Sequence, residues 1–200
     1  MLYKVLNEIG GGGPGGHGTW PLPQNGRPGE WMPTVNDPYP WRRGYHLCRR
    51  HDLVVWLGPT LYEAEGRGAS FQIENMVVYA EARLLRRLEW WDERTAQLFT
   101  VDCADRVLSF WTELVAGRGT RRQLQPDARD ACAARAAAAA RVAAAARAAV
   151  WLTGNDARAA ARDAADAAWD ACTGRDAARD AARAAERRRQ TKRLFSYAAS

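Results

Sequence analysis

Gly44-Tyr-His-Leu-Cys48-Arg-Arg-His51-Asp-Leu-Val-Val-Trp56-Leu-Gly58, followed by Leu61-Tyr-Glu63-Ala-Glu65-Gly66, is the densest mixture of aromatic, basic and β-branched residues in this chain of 200. Tyr45 and Leu47, with the thiol of Cys48, predict a short strand. Arg49-Arg50-His51-Asp52 reads as a polar turn, with Asp52 placed to cap a helical turn over residues 53–57. Gly58-Pro59 ends that turn. Residues 61–66 then read as a strand with Glu63 and Glu65 on one face and Tyr62 and Ala64 on the other.

Outward from this stretch, residues 2–6 predict a first strand. Residues 71–74 and 76–85 predict two more, joined at Asn75. Val78, Ala80, Ala82 and Leu84 alternate against Val77, Tyr79, Glu81 and Arg83. A helix over 78–88 is the rival reading, because Ala, Glu, Arg and Leu favour it. From Asp92 the period changes to that of a helix. Leu98, Val101, Asp105 and Leu108 form one row, and Phe99, Cys103 and Val107 its neighbour, with Gly117 as the stop. This helix is expected to cover one face of the sheet.

The two ends differ in composition. Seven of the nine residues from Gly10 to Gly18 are Gly, and residues 19–43 carry six Pro and three Trp. A Gly-x-Gly-x-x-Gly spelling at Gly10, Gly12 and Gly15 carries little weight, since Pro14 and the prolines after Trp20 deny it the helix that would hold a pyrophosphate. Beyond the basic linker at 118–126, 30 of the 58 residues in 128–185 are Ala. Ala is the best helix former. Breaks at Thr153-Gly-Asn155 and Thr173-Gly174 divide this region into three helices near 128–152, 156–172 and 175–197, with Arg and Asp rows at four-residue spacing. The expected fold class is therefore α+β. A small, mostly antiparallel sheet domain over 1–90 packs on a helix, an amphipathic helix and basic linker follow over 91–126, and an Ala-rich helical bundle spans 127–200.

Net charge is +6, and 27 of the 29 basic residues are Arg. The charge permits contact with nucleic acid without requiring it. The four cysteines, at 48, 103, 132 and 172, form no paired motif and suit thiols in a reducing compartment. No uncharged apolar run approaches the roughly 18 residues of a membrane span. A cytoplasmic location, in a bacterial host or phage-infected cell, with no membrane contact, is the expectation.

At Gly44-Tyr-His-Leu-Cys48, Asp52-Leu53, Trp56-Leu57 and Glu65-Gly-Arg-Gly68 the chain resembles an uncharacterised domain family of phages and bacteria, whose members look like GYHLC…DL…WL…YEAE.RG. His17-Gly-Thr-Trp20-Pro-Leu-Pro, Arg27-Pro-Gly-Glu-Trp-Met-Pro33, the Leu98–Leu108 helix and the tail at Gln190-Thr-Lys-Arg-Leu194 extend the likeness over nearly the whole chain. The resemblance implies a family and no established activity. The Ala-rich region is similar to segments of immunity-type proteins.

Several constellations carry chemistry. His46, Cys48 and His51 have the spacing of metal ligands, with His17 as a fourth, although structural zinc sites usually draw on two paired knuckles. Cys48 beside a histidine is also a nucleophile pattern. Tyr45, His46 and Glu74 invite analogy with ADP-ribosyltransferases, Glu74 holding a ribose. Arg42, Arg43, Arg49, Arg50, Arg121 and Arg122 are candidate anion contacts. Trp20, Trp31, Trp41 and Tyr45 are candidate aromatic platforms for bases or sugars. The favoured expectation is a non-enzymatic phage- or prophage-type module that binds another protein or itself through the Ala-rich helices, with no cofactor. An NAD-using transferase and a nucleic-acid binder are the alternatives.

Overall fold

The computed structural model describes residues 1–7, 10–11, 18–116, 154–172 and 178–199. The chain divides into two units, Met1–Asp92 and Glu93–Ser200. The expected first Ala-rich helix, both interhelical breaks other than Gly154-Asn155, the Gly117 stop, the basic linker with Arg121 and Arg122, and His17 all lie outside the described residues.

The class is α+β. The first unit holds four strands, β1 (Leu2–Leu6), β2 (Tyr45–Arg49), β3 (Thr60–Ile73) and β4 (Met76–Arg87), with a 3-10 helix at Arg50–Val55 between β2 and β3. All pairings are antiparallel, and the sheet closes on itself in the order β1-β2-β4-β3. The alternation over residues 76–85 is a strand and not the rival helix: Val78, Ala80, Ala82 and Leu84 are buried.

Closing four strands demands strong coiling. The long β3–β4 hairpin supplies it. The segments expected as separate strands at 61–66 and 71–74 are one strand, with a register shift between Arg67 and Ser70. Arg67 pairs with Glu81 and Ser70 with Tyr79, so two residues of β3 oppose one of β4. Gly68 sits in this bulge at φ +76°, a conformation that costs a residue with a side chain. A second shift lies between Glu63 and Ala64. Bulges of this kind bend a strand and raise its twist. β1 is thereby brought against both β2, through Tyr3↔Cys48, and β3, through Tyr3↔Glu63.

The barrel is filled by Leu6, Trp20, Met32, Leu47, Tyr62, Ala64, Ala82 and Leu84, with Leu2, Tyr45 and Tyr79 packed against them. Trp20 and Met32 come from the Pro-rich segment, which also straps β4. The amides of Gly29, Met32 and Val35 donate to the carbonyls of Leu84, Ala82 and Ala80, each at 2.9 Å. The strap begins to bond where β2, paired with β4 only through Val77 to Tyr79, leaves off. On the outer face, β3 and β4 carry a ladder of ion pairs. Glu63 is held by Arg86 at 2.5 and 2.7 Å, Glu65 by Arg83, and Glu81 by Arg67 at 2.5 Å. Directly opposed charges of this kind contribute roughly 0.2–1 kcal/mol each.

The helical turn after β2 begins earlier than expected. Its N-cap is Arg49, which makes no side-chain cap bond. Asp52 does not cap it. Its carboxylate is buried inside the first turn, with Oδ2 3.2 Å from Nε2 of His51.

The second unit contains α1 (Glu93–Ala116), α2 (Gly154–Cys172) and α3 (Ala178–Ser196), the last extended by a 3-10 turn at Tyr197–Ala199. α1 packs against α2. The buried face of α1 is Ala96, Phe99, Thr100, Cys103 and Ala104, while Leu98 and Val101 of the expected apolar row are exposed. α2 presents Ala157, Ala161, Ala164 and Ala168, all buried, and the buried face of α1 combines the bulky Phe99 with small residues four apart at Ala96, Thr100 and Ala104. α3 is tied in by polar contacts: Gln190 donates to the carbonyl of Ala165 at 3.1 Å, Arg193 holds Asp102 at 2.5 and 3.0 Å, and the Tyr197 hydroxyl donates to the same carboxylate. Among the described residues, no helix is long and apolar enough to cross a membrane.

Candidate functional site

Residues 39–43 form a closed turn. The Tyr39 amide donates to the Arg43 carbonyl at 2.8 Å, and the Arg43 amide returns the bond at 3.0 Å. Pro38 and Pro40 flank Tyr39 and restrict the chain there. Trp41, at the tip, has φ +64°. A bulky residue in this region is an outlier that persists only when its surroundings hold it. Here the Trp41 amide donates to Nε2 of His46 at 2.9 Å, and its ring stacks on the His46 ring at 5.9 Å and 29°. The ring of Trp56 lies against Trp41, also at 5.9 Å, and is itself anchored by Nε1 donating to the Asn75 carbonyl at 3.0 Å. Despite these contacts Trp41 is 64% exposed.

The sheet continues this face. His46, Val78 and Phe71 are direct partners across β2, β4 and β3. Phe71 meets the Tyr39 ring at 5.8 Å. Tyr39 is 53% exposed and Phe71 44%. The Arg42 guanidinium lies 6.0 Å from the Tyr39 ring centre, and Arg49 donates to the side-chain oxygen of Gln72.

Two groups of arginines differ in their partners. Arg67, Arg83, Arg86 and Arg87 each pair with a carboxylate. Among the described residues, none of Arg42, Arg43 and Arg49 has an ion pair. The exposed aromatic rings therefore sit beside cationic groups that form no ion pair with a carboxylate among the described residues. No protein family, no curated protein and no solved structure matches this chain.

The structure disperses the other candidates. Trp20 is core, 4% exposed, and meets Tyr45 edge-on at 5.5 Å. Tyr45 packs against the same core and donates its hydroxyl to the Pro33 carbonyl at 2.7 Å. Trp31 is covered by Arg67 and Arg83, at 3.9 and 4.7 Å. Of the four aromatic candidates Trp41 alone presents an exposed ring. Arg50 and His51 are exposed on the 3-10 helix. Glu74 lies in the exposed turn between β3 and β4, not on the strand expected for it.

His46, Cys48 and His51 do not converge. His46 accepts from Trp41, the Cys48 thiol is directed at the Tyr3 carbonyl at 3.6 Å, and His51 faces Asp52. No cluster of three or more His, Cys, Asp or Glu able to hold a metal occurs among the described residues. Burial pushes the Cys48 thiol up to about 12, reinforced by the charge of Asp52, so it is no thiolate nucleophile at neutral pH. Tyr39, Trp56 and Phe71 were missed. The Pro-Tyr-Pro-Trp spelling was the available signal for Tyr39, because the flanking prolines mark a turn there, and Trp56 and Phe71 carried no such signal.

Beneath this face Lys4 donates to the His46 carbonyl at 3.1 Å, with its ammonium 5.0 Å from the Trp20 ring centre. Burial lowers it from 10.5 to about 8. The unfolded chain then binds more protons than the folded one between those values, so stability rises with pH from about 8 to 10.5. Cys48 acts oppositely: its folded value lies above the ordinary 9.0, and stability falls as pH climbs from 9.0 toward about 12. Burial and the Lys4 charge hold His46 below 6.5, so its contribution is complete above 6.5 and is lost as pH falls through the lowered value. The expected profile of melting temperature rises between pH 8 and 9, levels off, and declines above about 10.5. Circular-dichroism melts check it. Lys4→Met should abolish the rise, and Cys48→Ala should soften the decline.

Proposed function

We propose that the chain is a non-enzymatic interaction module of phage or prophage type that works in the cytoplasm. Its barrel captures a partner through the Tyr39–Trp41–Phe71 face, and its Ala-rich helices serve self-association. The observation that carries the reading is Trp41, a bulky residue held at positive φ with its ring still 64% exposed. Trp, Tyr and Arg are also the residues that dominate binding energy at interfaces.

The test uses the full chain. Adding NAD is expected to leave the melting temperature unchanged and to release no nicotinamide. A rise of several degrees, or turnover, would move the chain to the NAD-using transferases. Size-exclusion chromatography with light scattering is expected to give a defined oligomer at both low and high salt, and a monomer mass throughout would remove the self-association role.

A further inference from the structure

We propose that the partner captured by the barrel face is a single-stranded nucleic acid, its bases stacking on Trp41 and on the Tyr39–Phe71 pair and its phosphates meeting Arg42, Arg43 and Arg49. The proposal rests on reading the barrel as a binding module and names what it binds.

Three observations converge on it. The exposed rings come in two groups on one face: Trp41, backed by His46 and Trp56, and Tyr39 with Phe71. The sheet row His46–Val78–Phe71 joins them. A flat ring held from behind and open in front is what a base needs, since every base has a π face and stacking tolerates any sequence. The flanking guanidiniums lack carboxylate partners among the described residues, whereas the other four arginines of β3 and β4 all have one. An anionic polymer supplies the missing charge, and Arg42 already lies over the Tyr39 ring as it would beside a stacked base. Finally, the turn that bears Trp41 is fixed by its own backbone bonds and by His46, so little order remains to be acquired on binding. A duplex keeps its bases stacked inside, so it cannot use these rings. The single strand is the form that fits.

The experiment is fluorescence anisotropy of a labelled oligothymidylate of about 12 nucleotides, a length within the range bound by one small barrel domain. The full chain is titrated at several salt concentrations. Binding is expected with quenching of tryptophan emission, and more weakly to a duplex of equal length. Trp41→Ala should weaken it about 5- to 150-fold, the loss of one stack, and Trp41→Phe should restore part of it. Arg42→Gln with Arg43→Gln should reduce the slope of log affinity against log salt by about 1.4, two phosphates at roughly 0.7 each. Arg94→Gln, an exposed arginine on α1, should change neither. Thermal melts of each variant confirm that the fold is kept. The proposal is overturned by absence of binding at low salt, by equal affinity for duplex, or by affinity that ignores Trp41 and the two arginines. Such a failure with no response to NAD removes the nucleic acid alone, whereas NAD turnover removes the binding-module reading itself.

Discussion

Trp20→Ala is expected to lower the unfolding free energy by about 3–5 kcal/mol, the usual cost of emptying a core site of Phe or Trp size. Trp20 is 4% exposed among Leu6, Leu47, Tyr62 and Leu84, and it carries two further contacts, the Tyr45 edge at 5.5 Å and the Lys4 ammonium at 5.0 Å. Its removal leaves a cavity that a closed barrel cannot collapse around without shifting strands. It also takes away the ring that faces a partly desolvated cation. Urea unfolding followed by circular dichroism measures the loss, with the slope against urea expected to stay constant. Were Trp20 instead a surface platform, the variant would keep its stability and lose only binding. Trp41→Ala is the counterpart. It should cost little stability, because the exposed ring leaves and a methyl-bearing residue relieves part of the strain at φ +64°.

Gly44→Ala is expected to cost about 3 kcal/mol or more, as positive-φ strain and overpacking each contribute roughly 1–3. Gly44 joins the Tyr39–Arg43 turn to β2 at φ +101°. A Cβ there would lie 2.7 Å from Cγ1 of Val78, 2.9 Å from Cβ of Pro38 and 2.9 Å from the Tyr79 carbonyl oxygen. The Val78 side chain is fully buried and the carbonyl is backbone, so neither yields readily. Relief requires moving the turn away from β4, which would separate Trp41 from His46. The variant should therefore lose both melting temperature and whatever the Trp41 face binds, and a retained melting temperature would contradict the tight approach of the turn to β4.

The strands were legible from local signals. Met76–Arg87 alternates buried and less buried residues from Val78 to Leu84, whereas Leu2–Leu6 and Tyr45–Arg49 are marked by aromatic, aliphatic and β-branched residues without strict alternation. Closure was not legible. It depends on β1 meeting two strands distant in sequence, and on two bulges, one at Gly68 in a run that resembles a loop and one between Glu63 and Ala64. The helix at 93 was legible and its buried face was not, since of the two neighbouring apolar rows the one with Phe99 and Cys103 is buried and the one with Leu98 and Val101 is exposed, a choice set by the packing partner. The site divides in the same way. Trp41, Arg42, Arg43 and Arg49 were readable as aromatic and basic residues clustered near a turn. Nothing local distinguishes the exposed Trp41 from the buried Trp20, since both follow Pro- or Gly-rich sequence, and only long-range packing draws one ring inward. Phe71 read as an ordinary strand residue, and it pairs with the fully buried Val78 while remaining 44% exposed itself.

The strap across β4 has a consequence for how copies of this protein meet. Where β2 ends, the carbonyls of Ala80, Ala82 and Leu84 would otherwise form a template onto which an extended segment of another molecule could zip, the first step of runaway sheet growth. The Gly29, Met32 and Val35 amides already occupy them. The prolines at 28 and 33 leave the strap itself poor in spare donors. A crowded, newly made population of these barrels is thus guarded against fibril-like stacking along that side, and encounters there are decided by side chains.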